Sequence, residues 1–84
     1  MNSVNSKKNN QKKVVVFGAT GGVGRQLVAQ ALEQGHAVTA FARTPAKLDI
    51  NHENLTVVQG DVMDAASVER AMQGQEAVLA ALGS

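Results

Sequence analysis

Four short apolar runs, each closed by glycine or a polar cluster, set the rhythm of the chain: Val14 to Phe17, Ala37 to Ala42, Leu55 to Gln59 and Ala77 to Leu82. The first is β-branched and hydrophobic without a break, which suits a parallel strand covered on both faces by helices. The second and third end at polar or turn residues after Ala42 and at Gly60-Asp61, and both read as strands. The fourth reads as a buried strand, although its Ala and Leu content also leaves a helix open. Between the first two runs, Arg25 to Gln34 holds neither Gly nor Pro. It places Val28, Ala31 and Leu32 on one side with Leu27 beside them, and Gln26, Gln30 and Glu33 on the other. Gly35 follows as a left-handed helix terminator. Thr44 and Pro45 predict a short helical turn opening at the proline, with the threonine as its cap. Asp64 predicts the N-cap of a helix over Ala65 to Gln73, with Val68 and Met72 inward and Gly74 as its stop.

Strand, helix, strand, short turn, strand, helix, strand is the order of an α/β chain with right-handed crossovers. It implies a parallel sheet of spatial order 3-2-1-4, the Rossmann-type arrangement. Eighty-four residues make one small domain and fall short of a complete doubly wound sheet, so residues 12–84 are expected to form its N-terminal part. Residues 1–11 are rich in Asn, Ser, Lys and Gln and cannot bury enough apolar surface to offset the entropy of ordering, which predicts a disordered polar tail.

Composition narrows the partners. Apolar residues are 44% and charged residues 18% of the chain, the balance of a globular protein. A net charge of +1, with most excess basicity in the tail, gives no field for nucleic acid, and two Phe without Trp or Tyr supply no stacking platform. Cysteine is absent, which removes disulfides and thiolate chemistry. The N-terminus has no apolar core for a signal peptide and no run long enough for a membrane span, so the cytoplasm is expected. His36 is expected to meet the carbonyl end of the first helix and His52 to lie in a polar loop, which makes neither a metal ligand.

The candidate chemistry lies in the turn after the first run, Gly18-Ala19-Thr20-Gly21-Gly22-Val23-Gly24. A strand that ends in glycine and runs into a helix aims free N–H groups and the positive end of the helix dipole at one point, where an anion belongs. Gly18 permits the tight turn, Gly21 lets backbone approach a pyrophosphate, Gly22 adds room, and Gly24 lets helix and strand pack closely. Arg25-Gln26 stand where a nucleoside-triphosphate loop requires Lys-Ser or Lys-Thr, which disfavours that alternative.

About 20 residues beyond such a turn, NAD-selective domains carry an acid for the ribose hydroxyls. Here the place is held by Arg43, whose guanidinium would pair with a 2′-phosphate, and Lys47 adds a second charge. NADP(H) is therefore expected over NAD(H). After the third strand, Asp61 is placed either to meet an adenine amino group with Val62 beside the ring or simply to close an Asx turn. Asp61 and Asp64 are better explained by these strand-end and capping roles than as a catalytic carboxylate pair. Gly83-Ser84 would reach the same carboxyl edge of the sheet near the nicotinamide-side ribose.

Through VVVFGATGGVG, GHAVTAFARTPAKL and VVQGDVMDAASVERAMQGQEAVLAALGS, the chain resembles the atypical short-chain dehydrogenase/reductase family. The likeness is to its NAD(P)H-binding, NmrA-like branch, nearest the biliverdin and flavin reductases, and runs from Lys13 to Ser84. The resemblance implies a phosphate loop of Gly18, Thr20, Gly21, Gly22, Val23 and Gly24, and contacts from Arg43 and Lys47 to the 2′-phosphate. It also implies Asp61 and Val62 at the adenine, and Leu82, Gly83 and Ser84 at the nicotinamide-side ribose. It further implies NADPH-dependent reduction by a longer parent, with an NADP(H)-sensing regulator or a piece without activity of its own as alternatives. Gly22-Val23 are apolar where family members often carry polar residues. The chain has no Tyr, so a Tyr-x-x-x-Lys proton relay does not exist within it.

Overall fold

The computed structural model describes residues 11–81; residues 1–10 of the expected tail, and Leu82, Gly83 and Ser84, lie outside them. Strand β1 (Lys13–Phe17) leads into helix α1 (Gly22–Glu33), then β2 (Ala37–Ala42), a 3-10 turn (Pro45–Lys47), β3 (Leu55–Gln59), α2 (Ala65–Met72) and β4 (Ala77–Ala80). All pairings are parallel and the order is β3-β2-β1-β4. Val15 lies opposite Thr39 on one side and Val78 on the other.

The alternating strand periodicity separates two cores. Val14, Val16, Val38 and Ala40 face one side and pack with Val28, Ala31 and Leu32 of α1, joined by Leu48 just after the 3-10 turn. Val15, Phe17 and Phe41 face the other side and pack with Ala71 of α2, where the two phenyl rings meet edge to face at 4.9 Å. Val15, Val16 and Val28 are completely buried, each worth about 1.5–3 kcal/mol relative to exposure. The central strand β1 thus matches the unbroken hydrophobicity of its sequence from Val14 to Phe17. The edges do not: β4, expected to be buried, alternates half-buried and exposed positions, with Val78 at 47% exposure.

Helix α1 begins at Gly22, three residues before the expected start. Gly21 is its N-cap in an extended conformation, and its carbonyl accepts from Arg25 N at 2.9 Å. Glycine's poor propensity argued against this first turn, but packing against the strand end outweighs it. The other end follows the sequence expectation and forms a Schellman motif: Gly35, at φ +90°, donates to Leu32 O, and His36 N donates to Ala31 O.

Three local expectations need correction. Thr44 makes no side-chain capping bond, because the one-turn helix is closed by its backbone carbonyl accepting from Lys47 N. Met72 is exposed, and α2 instead buries Ser67 and Ala71, the positions its short length turns toward Phe41. The His36 ring does not meet the helix end: its Nδ1 accepts from Lys12 N at 3.1 Å, which ties the entry of β1 to that of β2.

Asp64 caps α2 as expected, accepting from Ala66 N at 3.2 Å and from Ser67 Oγ at 3.1 Å. Asp64→Ala is expected to cost about 1 kcal/mol in urea unfolding, with most of the loss restored by Asp64→Asn.

Candidate functional site

At the carboxyl ends of the strands, the chain turns outward from β1 to β2 and β3 and then returns to β4 on the other flank of β1. Such a reversal opens a crevice above the sheet. A cleft of about 380 Å³ lies at this edge, above β1 to β3. Its walls are Gly18 to Thr20 after β1, Phe41 to Thr44 with Lys47 after β2, and Gly60 to Met63 after β3.

The glycine turn owes its shape to backbone crowding. Gly18 takes φ +76°, and a Cβ there would stand 2.8 Å from Ala81 O, where the chain leaves β4. A Cβ on Gly24 would collide with the Gly18 carbonyl oxygen and lie 2.7 Å from its carbon. The buried Gly24 therefore sets how closely α1 approaches β1 and faces the strand end, not the cleft. Gly21 is half-buried as the N-cap, while Gly22 and Val23 expose the first turn of α1 beside the cleft.

The two helix N-termini differ in a way that bears on chemistry. The start of α2 is closed by the Asp64 carboxylate. The start of α1 has no side-chain cap and no acid in its first turn. The first N–H groups of a helix lack partners within it, and the dipole adds partial positive charge at the same point. An open cradle of backbone donors thus sits next to Thr20, which is itself half-buried on the cleft wall.

Arg43 and Lys47 are both exposed and both line the cleft on the segment that follows β2. Asp61 and Val62 line the cleft on the segment that follows β3, with Val62 at 52% exposure. Asp61 Oδ1 accepts from Met63 N at 2.9 Å, and its carbonyl accepts from Asp64 N at 2.9 Å, so the Asx turn is formed. Turn closure and a place on the cleft wall coexist in this one residue. Leu82, Gly83 and Ser84 lie outside the described residues.

Several site features had no signal in the sequence. Gly60 borders the cleft and leaves room for Phe41, whose Cζ would stand 2.6 Å from a Cβ there, a contact fixed only by the pairing of β2 with β3. Phe41 and Met63 add apolar lining. The Arg25 side chain leaves α1 and donates to backbone carbonyls of the segment that carries Lys47. Among the described residues, no group of three or more His, Cys, Asp or Glu comes together as a metal site, and no helix is long and apolar enough to cross a membrane.

Comparison with known proteins identifies the family and the fold. Residues 18–84 match the family described as NAD(P)H-binding. The chain is 32% identical over 83 residues to an isoflavone reductase homolog of Zea mays, covering 88% of this chain and 27% of that protein. It is 36% identical over 68 residues to a photosystem II assembly factor of Synechocystis, covering 80% of this chain and 21% of that protein. A Rossmann-fold NAD(P)-binding family protein from Shigella flexneri superposes with a TM-score of 0.79 at 36% identity, covering 89% of this chain and 39% of that chain. The chain thus spans well under half the length of these relatives.

Gly24→Ala drives a methyl group into the Gly18 carbonyl and is expected to cost at least about 2 kcal/mol. Gly22→Ala, with nothing within 4 Å of its Cβ, should leave the unfolding midpoint nearly unchanged.

Proposed function

The chain belongs to the NAD(P)H-binding family, and from that premise we propose that its cleft holds the adenosine and pyrophosphate portion of NADP(H) in preference to NAD(H). The observation that carries this reading is the pairing of an uncapped α1 N-terminus with two cations, Arg43 and Lys47, on the wall formed after β2. A pyrophosphate fits the N–H groups of Gly22 and Val23, since that of Gly21 already donates to Gly18 O, with Thr20 beside it and Gly22 leaving space. The 2′-phosphate fits between Arg43 and Lys47, in a place where an NAD-selective chain would present a carboxylate. Val62 offers an apolar surface to the adenine ring, and the Asp61 carboxylate offers an acceptor to its amino group. Leu82, Gly83 and Ser84 are assigned to the nicotinamide-side ribose.

When bound, NADPH supplies a hydride, so the protein's task is to orient the cofactor and shield it. The reductase named among the relatives supports an oxidoreductase parent, and the motif likeness favours a flavin, tetrapyrrole or carbonyl acceptor. This chain contributes cofactor binding; with no Tyr it holds no Tyr-Lys relay for proton transfer. A second reading is an NADP(H)-responsive module without turnover, favoured by the likeness to an assembly factor.

Thermal unfolding with each nucleotide at equal concentration tests the binding step, since a ligand specific for the folded state raises the midpoint with the logarithm of its concentration over its Kd. A larger shift with NADP⁺ than with NAD⁺ is expected, and no shift with either would overturn the assignment. NADPH oxidation by a full-length version, with FMN and with a quinone, separates reductase from responsive module.

Two variants divide the site into its ends. Arg43→Ala is expected to weaken NADP⁺ by about 10-fold or more while changing NAD⁺ by no more than about 2-fold, because only the 2′-phosphate contact is lost. That difference should shrink as salt rises. In Asp61→Asn the oxygen remains committed to Met63 N, so an amide NH₂ faces the adenine amino group. Isothermal titration is expected to show both nucleotides weakened equally, by about 10-fold.

A further inference from the structure

Arg25 lines no part of the cleft, yet it makes the shortest side-chain bond to the segment that carries the cations. It is the fourth residue of α1. Its Nη2 crosses to the far end of the 3-10 turn and donates to Lys47 O at 2.6 Å and to Leu48 O at 3.2 Å. Carbonyls at the end of a helical turn lack internal donors, and a cation is the favoured partner for them. Here the cap arrives from a different helix.

The other end of the same segment is held similarly, by Gln59 Nε2 donating to Arg43 O at 3.3 Å. Leu48, 1% exposed, plugs into the core beneath, and the chain then reverses through Asp49 at φ +54°. Both cationic residues are therefore gripped through their backbone oxygens by side chains from neighbouring elements, and both residues line the cleft.

We propose that Arg25 is a positioning residue for nucleotide selectivity: by clamping the Pro45–Lys47 turn onto α1, it fixes the spacing between the glycine turn and the cations at Arg43 and Lys47. The inference rests on the NADP(H) reading above. One rigid helix then carries both reference points, the pyrophosphate cradle at its start and the clamp one turn later. Ordering the loop before binding lowers the entropic cost of engaging the 2′-phosphate. NAD(H) has no such phosphate and gains little from the clamp, so Arg25 acts on the ratio of affinities. The guanidinium suits the role because its planar fork presents two hydrogens to adjacent carbonyls, which a flexible ammonium on a shorter stem does not match.

The test measures NADP⁺ and NAD⁺ affinities by isothermal titration for the full chain, Arg25→Met and Arg25→Lys. Amide hydrogen exchange over residues 43–49 and a thermal melt are followed alongside. Arg25→Met keeps an apolar stem and removes the donors. It is expected to weaken NADP⁺ by about 10-fold and NAD⁺ by less than about 3-fold, with faster exchange at Lys47 and Leu48 before any nucleotide is added. Arg25→Lys keeps the charge and is expected to lose selectivity as well. Full selectivity in the lysine variant would overturn the clamp in favour of simple charge. Equal losses for both nucleotides, or an unchanged ratio, would reduce Arg25 to a stability residue and also overturn it. If Arg25→Met does not fold, the lysine variant and Arg25→Gln decide by the same ratio. A wild-type chain with no preference for NADP⁺ removes the reading beneath the proposal and the proposal with it, and is told apart because the ratio is already near one before any substitution.

Discussion

The carbonyl group of Gly18 occupies the space that any side chain at residue 24 would need. This backbone-to-backbone approach brings the first turn of α1 directly against the end of β1. It also aligns the helix start with the carboxyl edge of the sheet. Were the helix held further out by a Cβ, Val28, Ala31 and Leu32 would be lifted from Val14, Val16 and Val38, and the larger of the two cores would open. A single steric fact thus serves both the stability of the domain and the aim of its N–H donors.

What the fold does with its two helix starts divides them by role. α2 satisfies a first-turn N–H through the Asp64 carboxylate, which the Ser67 hydroxyl steadies by donating to it, as a helix does when its end has only to be stable. α1 leaves its first turn without a side-chain cap, beside a cleft with two cations. Leaving backbone donors free costs little while water can reach them, and it lets an anionic group complete them later. The same logic separates Asp61 from Asp64: both accept from backbone N–H groups two residues on, but Asp61 does so on the cleft wall and Asp64 away from it.

The cation wall depends on contacts that span the chain. Arg43 and Lys47 lie on a segment with only a one-turn helix of its own, too short to hold its position by local hydrogen bonds. Leu48 anchors it from below, and Gln59 and Arg25 grip its carbonyls from β3 and α1. Placement of the charges is therefore a property of the packed domain.

Local chemistry was enough to read β2 over Ala37 to Ala42 and β3 over Leu55 to Gln59, the Asp64 cap, the Gly35 terminator, and the parallel order 3-2-1-4. Each depends on side-chain periodicity, on a cap a few residues away, or on the handedness of a crossover, all of which act over short stretches of chain. The glycine turn and the residues at the strand ends were legible for the same reason. Only the tertiary structure decided that α1 starts at Gly22, because the close approach of Gly24 to Gly18 outweighs a propensity that disfavours two glycines in a first turn. It also decided that Ser67 and Ala71 replace Met72 inside, that the His36 ring accepts from Lys12, and that Arg25 clamps Lys47 and Leu48. The Arg25 and His36 contacts join residues more than twenty positions apart, where no local pattern marks the partner, and they exist only once the strands have set the elements side by side.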